Sequence, residues 1–494
     1  MSGKRSALIL AIDQGTTGTT VLALDGAGRV RGRGYAELPQ HYPKPGWVEH
    51  DGEEIWRSVG TAVRRARVDP RRIAAIGITN QRETTLLWNR ATSKPVARAI
   101  VWQCRRTTAM CESLRRGGWE PLVRKRTGLL LDPYFSGTKV AWLLRHVRGA
   151  ARRAERGELA FGTVDTWLVW RLTGGRAHVT DHTNASRTLL FDIGRKRWDP
   201  DLLDLFDAPA SLLPQVRDSS GPFGVTRGVA GLPDGIPVLG VAGDQQAALY
   251  GQGCFRAGQA KNTYGTGCFL LLQTGGRRAV SKHGLLTTLA CDQAGRPSYA
   301  LEGAVFIAGA VVQWLRDGMK LIGKAAEVEK LARSVPDTMG TVLVPAFVGL
   351  GAPHWRPEAR GAWLGLTRGV TSAHLARAAL ESIAYQTRDV VDAMVGDSGH
   401  RLTALRVDGG AAANDFLLQF QADVLGIPIQ RPKMLETTAL GAAALAARAA
   451  GLWPSGRPPG VTGAWDRVFR PRAARARREE MYGHWRDAVR RLLA

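Results

Sequence analysis

A single carboxylate followed by small hydroxyl residues marks the beginning of the chain. The stretch LILAIDQGTTGTTVLAL, residues 8–24, is an apolar run that ends at Asp13 and passes through Gly15, Thr16 and Thr17 into a second apolar run. Glycine lets backbone N–H groups approach an anion, threonine hydroxyls donate further hydrogen bonds, and a neighbouring carboxylate can hold Mg²⁺. The pattern indicates either a phosphate-binding hairpin with a metal site at Asp13 or a plain hairpin with one capped aspartate.

Two later glycine tracts strengthen the phosphate interpretation. The stretch KNTYGTGCFLLLQTG, residues 261–275, again places a Gly/Thr turn around Thr266 before a β-rich apolar run. Further along, Gly409 and Gly410 follow a predicted strand and precede a predicted helix that begins at about Ala413. A helix N-terminus behind such a turn suits a nucleotide. We therefore expect the two hairpins to hold one polyphosphate between two halves of the chain.

Asp244 is a candidate for the carboxylate that phosphoryl transfer needs near the acceptor oxygen. The stretch IPVLGVAGDQQAAL predicts a strand that ends at Gly243 and a helix that begins at Gln245. An aspartate in this position is equally typical of a helix N-cap. The sequence alone leaves both interpretations of Asp244 open.

Paired polar groups and aromatic residues are candidates for the lining of a binding pocket. The segment NQRETT sets Arg82 beside Glu83, a donor beside an acceptor, and Tyr134 adds a hydroxyl group. Trp102 and Phe269 are candidates for flat apolar walls. Adjacent donors and acceptors beside flat apolar walls suit a small ligand that carries both polar groups and an apolar edge. Each residue taken alone is more typical of a surface ion pair or a core aromatic.

Regular elements must position these residues. Residues 19–24 favour a second strand after the first Gly/Thr turn, residues 25–28 are a turn signal, and a third strand is predicted to follow. The apolar spacing in residues 374–394 predicts a helix with a structural role. A match to the start of a P-loop at residues 318–324 has Ala325 where Ser or Thr is required, and no GxGxxG occurs. P-loop and Rossmann nucleotide sites are therefore excluded.

Composition limits the class of protein. The 494 residues are enough for two or three domains. The five cysteines form no CxxC pair, so neither a disulfide framework nor a thiolate zinc site is predicted, and a reducing cytoplasm fits. The N-terminal apolar run is too short for a signal peptide, and no uncharged stretch approaches the roughly 20 residues that span a bilayer.

The net charge of +25 is the unusual quantity in the composition. The arginines are spread along the chain rather than gathered in one stripe with aromatic residues. We interpret them as solvated surface, so no specific nucleic-acid partner is expected. A weak, salt-sensitive affinity for polyanions is physically reasonable.

Several segments in this order resemble the FGGY carbohydrate kinases, which are part of the actin and hexokinase superfamily. They are AIDQGTTGTT, YPKPGWVEHDGEEIW, GITNQRETTLLW, AIVWQCRRT, DPYFSGTKVAWLL, FGTVDTWLVWRLTGG, VAGDQQAALYGQG and KNTYGTGCF. The resemblance implies an α/β protein with two ribonuclease-H-like domains of the actin/hexokinase ATPase type around a central cleft. We place the N-terminal domain at 1–250, the C-terminal domain at 251–453, and a Pro/Gly linker with an amphipathic helix at 454–494.

Within that family the motifs imply ATP-dependent, Mg²⁺-requiring phosphorylation of glycerol to sn-glycerol 3-phosphate by a homo-oligomer, either a dimer or a tetramer. One alternative is a sibling kinase for erythritol, xylulose or gluconate. Another is a basic nucleic-acid-binding or actin-like protein without kinase activity. An assay of ADP release with a panel of polyols separates the three.

The resemblance also assigns roles to individual residues. It implies that Asp244 is the general base and that Asp13 lies near the metal. The residues implied to bind the polyol are Arg82, Glu83, Trp102, Tyr134, Asp244, Gln245 and Phe269. The residues implied to bind the nucleotide are Thr16, Thr17, Gly18, Thr266, Gly309, Gln313, Gly410 and Asn414.

Three positions depart from the family pattern. Many relatives carry Ser at the position of Gly18 and Arg at that of Thr20, and Arg356 stands where relatives usually have Asp. The absence of the arginine removes one phosphate contact, which bears on nucleotide affinity.

Overall fold

The computed structural model describes residues 7–356, 358–453 and 465–494. The strands in these ranges are, in chain order, β1 (Leu8–Gln14), β2 (Gly18–Leu24), β3 (Val30–Glu37), β4 (Glu49–His50), β5 (Ile73–Asn80), β6 (Leu86–Asn89), β7 (Ala99–Ile100), β8 (Leu159–Gly162), β9 (Val179–Asp181), β10 (Phe191–Asp192), β11 (Arg197–Trp198), β12 (Gln215–Arg217), β13 (Ser220–Val225), β14 (Pro237–Gly243), β15 (Ala260–Tyr264), β16 (Cys268–Gly275), β17 (Leu286–Cys291), β18 (Pro297–Val305), β19 (Val342–Val344), β20 (Ala362–Leu364), β21 (Leu405–Asp408), β22 (Ile429–Pro432) and β23 (Trp465–Phe469).

The helices alternate with these strands. They are α1 (Gly52–Arg65), α2 (Thr108–Arg116), α3 (Glu120–Thr127), α4 (Ser136–His146), α5 (Ala150–Glu155), α6 (Val164–Leu172), α7 (His182–Ala185), α8 (Pro200–Leu205), α9 (Asp244–Gly251), α10 (Gly309–Asp317), α11 (Glu327–Arg333), α12 (Ser372–Ser398), α13 (Asp415–Leu425), α14 (Thr437–Ala449) and α15 (Arg475–Leu493). Among the described residues, no helix is long and apolar enough to cross a membrane.

A six-stranded mixed sheet forms the first half, in the order β13-β14-β5-β1-β2-β3. β1 and β2 are antiparallel, with Ile12 opposite Val21, and β1 runs parallel to β5. β1 is apolar without interruption from Leu8 to Ile12, which is consistent with a sheet covered on both faces. Leu8, Leu10 and Ile12 pack with α1 and α6, whereas the alternate residues of the strand pack with α14.

A seven-stranded sheet forms the second half, in the order β17-β18-β16-β15-β21-β22-β23. β15 and β16 form the second predicted hairpin and are antiparallel, whereas β15 and β21 are parallel. One face of this sheet packs with α12, α13 and α15 in the largest apolar cluster. The predicted helix over 374–394 is confirmed as the middle of α12.

Each half of the chain contributes one helix that packs against the sheet of the other half. α9 follows the first sheet, and its Leu249 packs against residues of the second sheet, whereas α14 follows the second sheet in the chain and covers the first. Added Cβ atoms on Gly251 and Gly441 would overlap backbone carbonyl oxygens of the opposite helix. The two helices therefore cross backbone to backbone, and this crossing joins the two halves.

The end of the chain also packs on the second half. The predicted linker after Trp453 lies outside the described residues. β23 pairs with β22 at the edge of the second sheet, and Trp485 and Val489 of α15 are buried in its core. The strand β23 was not predicted from the sequence.

Candidate active site

The first Gly/Thr turn, predicted to bind phosphate, is confirmed as the tip of a strand–turn–strand unit. The turn is closed by a hydrogen bond from the Gly15 N–H to the Gly18 carbonyl oxygen, 2.9 Å away. Thr17 is exposed and Thr16 is half-buried at the tip. The sequence therefore presents these hydroxyls and backbone N–H groups at the end of a buried strand.

Tyr35 lies over the place where relatives carry a serine side chain. A Cβ atom on Gly18 would lie 2.6 Å from both the Tyr35 hydroxyl and the Ala36 carbonyl oxygen. Thr20 is the cross-strand partner of Tyr35 in β3. The departures at residues 18 and 20 thus share one neighbour, and β3 sits too close to residue 18 for any side chain there.

The second hairpin is fixed against the beginning of α10. The Gly309 N–H donates to the Gly265 carbonyl oxygen at 2.9 Å, and the Ala308 and Ala310 N–H groups donate to the Thr266 carbonyl oxygen. Thr266 and Gln313 are both exposed. Three of the predicted nucleotide residues, Thr266, Gly309 and Gln313, are therefore neighbours.

The third tract packs against the base of the second hairpin. A Cβ atom on Gly409, where φ is 85°, would overlap the backbone of Tyr264, so glycine is required there. Gly410 is exposed. The following helix, α13, begins at Asp415 rather than at the predicted Ala413, because the Asn414 side chain caps it by accepting from the Leu417 N–H at 2.9 Å.

Asp244 is the first residue of α9, so it does not have the N-cap position that the sequence left open. The N-cap residue is Gly243. The Asp244 Oδ1 atom accepts from the Gln245 N–H at 2.7 Å and is paired with the Arg82 Nε atom at 3.2 Å. The side chain is 31% exposed, so it is open to a substrate while being held by a fully buried arginine.

Arg82 and Glu83 are buried, not a surface pair. The Arg82 Nη2 atom donates to the Tyr134 hydroxyl at 3.4 Å, and the Trp102 ring packs edge-on against the Tyr134 ring with centroids 5.5 Å apart. Arg82 Nε has no hydrogen-bond partner among the described residues. The structure therefore brings Arg82, Glu83, Trp102, Tyr134 and Asp244 together around the buried Arg82 guanidinium, whose Nε atom faces the Asp244 carboxylate.

The backbone of Glu83 is held in a left-handed conformation, with φ of 61°. Its carbonyl oxygen accepts from the Thr85 hydroxyl at 3.0 Å, the Ser136 hydroxyl at 3.1 Å and the Lys139 ammonium at 3.1 Å. Burial lowers the pKa of Lys139 to about 7. A non-glycine residue in this region costs energy and persists only where neighbours enforce it, which is typical of functional sites.

Lys261 was not singled out from the sequence, yet it joins the two remaining pocket residues. Its ammonium group donates to the Gln245 side-chain oxygen and, at 3.2 Å, to the Phe269 carbonyl oxygen. A third bond goes to the Thr263 hydroxyl at 2.8 Å. Burial lowers the pKa of Lys261 to about 8. A lysine beside the quoted KNTYGTG turn was the available signal.

Asp13 lies at the end of β1, within electrostatic reach of Asp244. Burial, together with repulsion from Asp244, raises the pKa of Asp13 to about 7. Mg²⁺ in proteins is commonly held by one or two carboxylates together with substrate phosphates. Two mutually repelling carboxylates beside a phosphate hairpin fit such an ion, which would relieve the repulsion. The described residues contain no cluster of three or more His, Cys, Asp or Glu side chains suited to an all-protein metal site.

The sequence patterns of one family match both halves of the chain. The N-terminal domain of the FGGY family of carbohydrate kinases matches residues 8–251, and the C-terminal domain of the same family matches residues 260–450. The chain is 60% identical over 487 residues to a glycerol kinase of Alkalilimnicola ehrlichii and 57% identical over 490 residues to one of Stenotrophomonas maltophilia. In both comparisons 98% of each chain is covered.

Solved structures agree with this assignment. A Plasmodium falciparum glycerol kinase with ADP matches at a TM-score of 0.94 and 36% identity, covering 99% of this chain and 98% of that one. A Lactobacillus acidophilus gluconate kinase, at 22% identity and a TM-score of 0.87, has the same fold and covers 98% of each chain. The predicted fold of two ribonuclease-H-like domains around a cleft is confirmed.

Proposed function

Because the chain belongs to the FGGY family of carbohydrate kinases, we propose that it transfers the γ-phosphoryl group of ATP to a terminal hydroxyl of glycerol, forming sn-glycerol 3-phosphate. The observation that carries the proposal is the Arg82–Asp244 pair, 3.2 Å apart, beside Tyr134 and Trp102. A donor, an acceptor and an aromatic wall meet there, which are the groups that a small polyol needs. The names of the full-length relatives support glycerol as that polyol.

Asp244 acts as the general base in this proposal. Its carboxylate takes the proton of the attacking hydroxyl while the γ-phosphoryl group leaves ATP. Arg82 orients the carboxylate through its Nε atom, 3.2 Å from Asp244 Oδ1, and places a positive charge beside the reacting hydroxyl. Glu83 and Tyr134 hold hydroxyls, Gln245 adds a further polar contact, and the rings of Trp102 and Phe269 cover the carbon edge.

We propose that the nucleotide lies between the two hairpins. Thr16, Thr17 and Gly18 of the first hairpin and Thr266 of the second offer hydroxyl and N–H donors to the phosphates. Gly309, Gln313, Gly410 and Asn414 line the second-half surface, where the adenosine part would bind. The side-chain oxygen of Asn414 caps α13, so its remaining amide N–H groups are the ones that can face a ligand.

Mg²⁺ is proposed as the metal, with Asp13 holding it directly or through water. The ion would neutralise charge on the transferring phosphoryl group. The predicted homo-oligomer, a dimer or a tetramer, stays a prediction that light scattering on the purified protein can check, and so does a cytoplasmic location.

A coupled assay of ADP release tests the proposed function. We expect the highest kcat/KM with glycerol when glycerol, erythritol, xylulose and gluconate are compared at saturating MgATP. A higher value with one of the other three would reassign the substrate and leave the kinase class intact. No ADP release with any polyol would remove the kinase proposal altogether.

A further inference from the structure

Glu302 of the second sheet reaches into the pocket built by the first half. It lies on β18, and its Oε2 atom accepts from Arg82 Nη1 at 2.6 Å. Its Oε1 atom accepts from Arg82 Nη2 at 3.0 Å and from Arg187 Nη2 at 2.9 Å. Arg187 in turn donates from Nε to Glu83 Oε1 at 2.6 Å. The Glu302 carboxylate therefore binds Arg82 directly and is linked through Arg187 to Glu83, and these are two of the three charged residues of the proposed polyol site.

The side chains of Arg82, Glu83, Arg187 and Glu302 are all buried. Arg187 is 0% exposed and Glu302 is 2% exposed. Burial alone would raise the pKa of Glu302, but Arg187 and Arg82 outweigh it and lower the pKa to about 2. Glu302 is consequently a carboxylate near neutral pH, and it shares the charge compensation of the two arginines with Glu83 and Asp244.

The geometry divides the Arg82 guanidinium into two edges. Glu302 takes Nη1 and Nη2, which leaves the Nε edge facing Asp244 at 3.2 Å. A bidentate carboxylate fixes the plane of a guanidinium as well as its position. The orientation in which Arg82 faces Asp244 is thus set by a residue of the other half of the molecule.

We propose that Glu302 is a positioning residue for the polyol, acting through Arg82 directly and through Arg187 on Glu83. The inference rests on the proposed function of the same site, since it concerns how the acceptor alcohol is held. Arg82 and Glu83 then have their hydroxyl-binding geometry only while the second sheet is docked against the first. The affinity for the polyol therefore depends on the contact between the two sheets.

Stability alone does not require a buried ion pair here, because apolar residues of similar volume often stabilise a core equally well. The Glu302–Arg82 pair instead joins the two halves, and Arg82 also contacts Asp244. At that contact the orientation of the guanidinium determines how the substrate is held.

Glu302→Gln tests the proposal, because the amide keeps the shape but presents –NH₂ to one arginine donor. We expect the glycerol KM to rise about 10- to 100-fold, the range typical of losing a charge-assisted hydrogen bond, while the ATP KM changes less than about threefold. The matched control is Glu381→Gln. Glu381 is also a buried glutamate paired with an arginine, Arg377 at 2.8 Å, but it lies on α12 away from the pocket. This control should leave both KM values unchanged.

An unchanged glycerol KM in Glu302→Gln, or equal increases in both KM values, would overturn the proposal. If Glu302→Gln does not fold, Glu302→Asp is the second variant, because it keeps the charge on a side chain that is one methylene shorter. We again expect the glycerol KM to rise more than the ATP KM. Failure of both variants to fold would assign Glu302 to stability alone. If the wild-type protein phosphorylates another polyol instead of glycerol, the proposed substrate fails, and the comparison is made with that polyol.

Discussion

The indole nitrogen of Trp102 donates a hydrogen bond to the Thr16 hydroxyl, 3.0 Å away. Trp102 is a proposed wall of the polyol pocket, and Thr16 is at the tip of the proposed phosphate hairpin. The acceptor site and the nucleotide site therefore share a contact within the first half of the molecule. A substitution of either residue is therefore expected to affect the binding of both glycerol and ATP.

Thr16→Val removes the acceptor of the Trp102 bond at nearly constant side-chain volume. We expect the glycerol KM to rise about 2- to 10-fold, the usual effect of one neutral hydrogen bond, together with a rise in the ATP KM. Thr17→Val is the control, because the Thr17 side chain is exposed at the same turn and has no bond to Trp102. It should raise only the ATP KM. Steady-state kinetics with each substrate varied in turn measures both effects.

Asp244→Asn keeps the size of the side chain but cannot accept a proton. Loss of a general base typically lowers the rate about 10²- to 10⁴-fold, and the loss should fall on kcat because an amide still holds the alcohol. Asp51→Asn is the control, since Asp51 caps α1 outside the pocket and asparagine caps equally well. A folded Asp244→Asn protein with more than about a tenth of the wild-type kcat would remove Asp244 from the chemistry.

Asp13 makes the free energy of unfolding depend on pH in a definite direction. Its pKa is raised from 3.8 to about 7 by burial and by Asp244. Between these values the folded chain holds a proton that the unfolded chain has released, so this contribution to stability is lost as pH rises, by at most about 1.4 kcal/mol per pH unit. Asp13→Asn should therefore gain stability relative to wild type between pH 5 and pH 8.

Urea unfolding of both proteins at the two pH values measures this difference. Asp165, whose pKa is also raised to about 7 by burial and by Asp181, contributes equally to both proteins and cancels. A difference in free energy of unfolding that stays constant from pH 5 to pH 8 would show that Asp13 has an ordinary pKa.

Gly441→Ala places a methyl group against the Ala247 carbonyl oxygen where α14 crosses α9. Overpacking of this kind costs about 1–3 kcal/mol. Gly483→Ala is the control, because Gly483 lies within α15 with open space around it, and alanine there should stabilise by about 0.5–1 kcal/mol. Thermal unfolding should therefore move the two melting temperatures in opposite directions. A stabilised Gly441→Ala protein would mean that the helices do not touch at this crossing.

The elements that could be predicted from sequence are those with local signals. An apolar run, a Gly/Thr turn and a second apolar run predict the β1–β2 and β15–β16 hairpins, and the spacing of apolar residues predicts α12. The packing of α14 on the first sheet has no such signal, since it joins residues several hundred positions apart. Only the small residues of α14 hint that something approaches closely.

The residues of the candidate site also fall into those with a local sequence signal and those without one. Arg82, Glu83 and Asp244 stand out because they lie in short motifs next to turns. Arg187 and Glu302 were missed because each is a single charge in an unremarkable segment. A glutamate within an apolar strand was the available signal, because a charge buried there needs a partner of opposite sign. The sequence does not say where that partner comes from.

The exchange of α9 and α14 also has a consequence for how the protein is synthesised. One face of the first sheet is finished only by residues 437–449, although its last central strand ends at Gly243. At about 5–20 residues per second, a ribosome needs on the order of 10–40 s to make the intervening chain. During that time an apolar sheet face is without its cover, so we expect the nascent chain to bind chaperones and a chain truncated before residue 437 to aggregate, which sedimentation of the truncated product would measure.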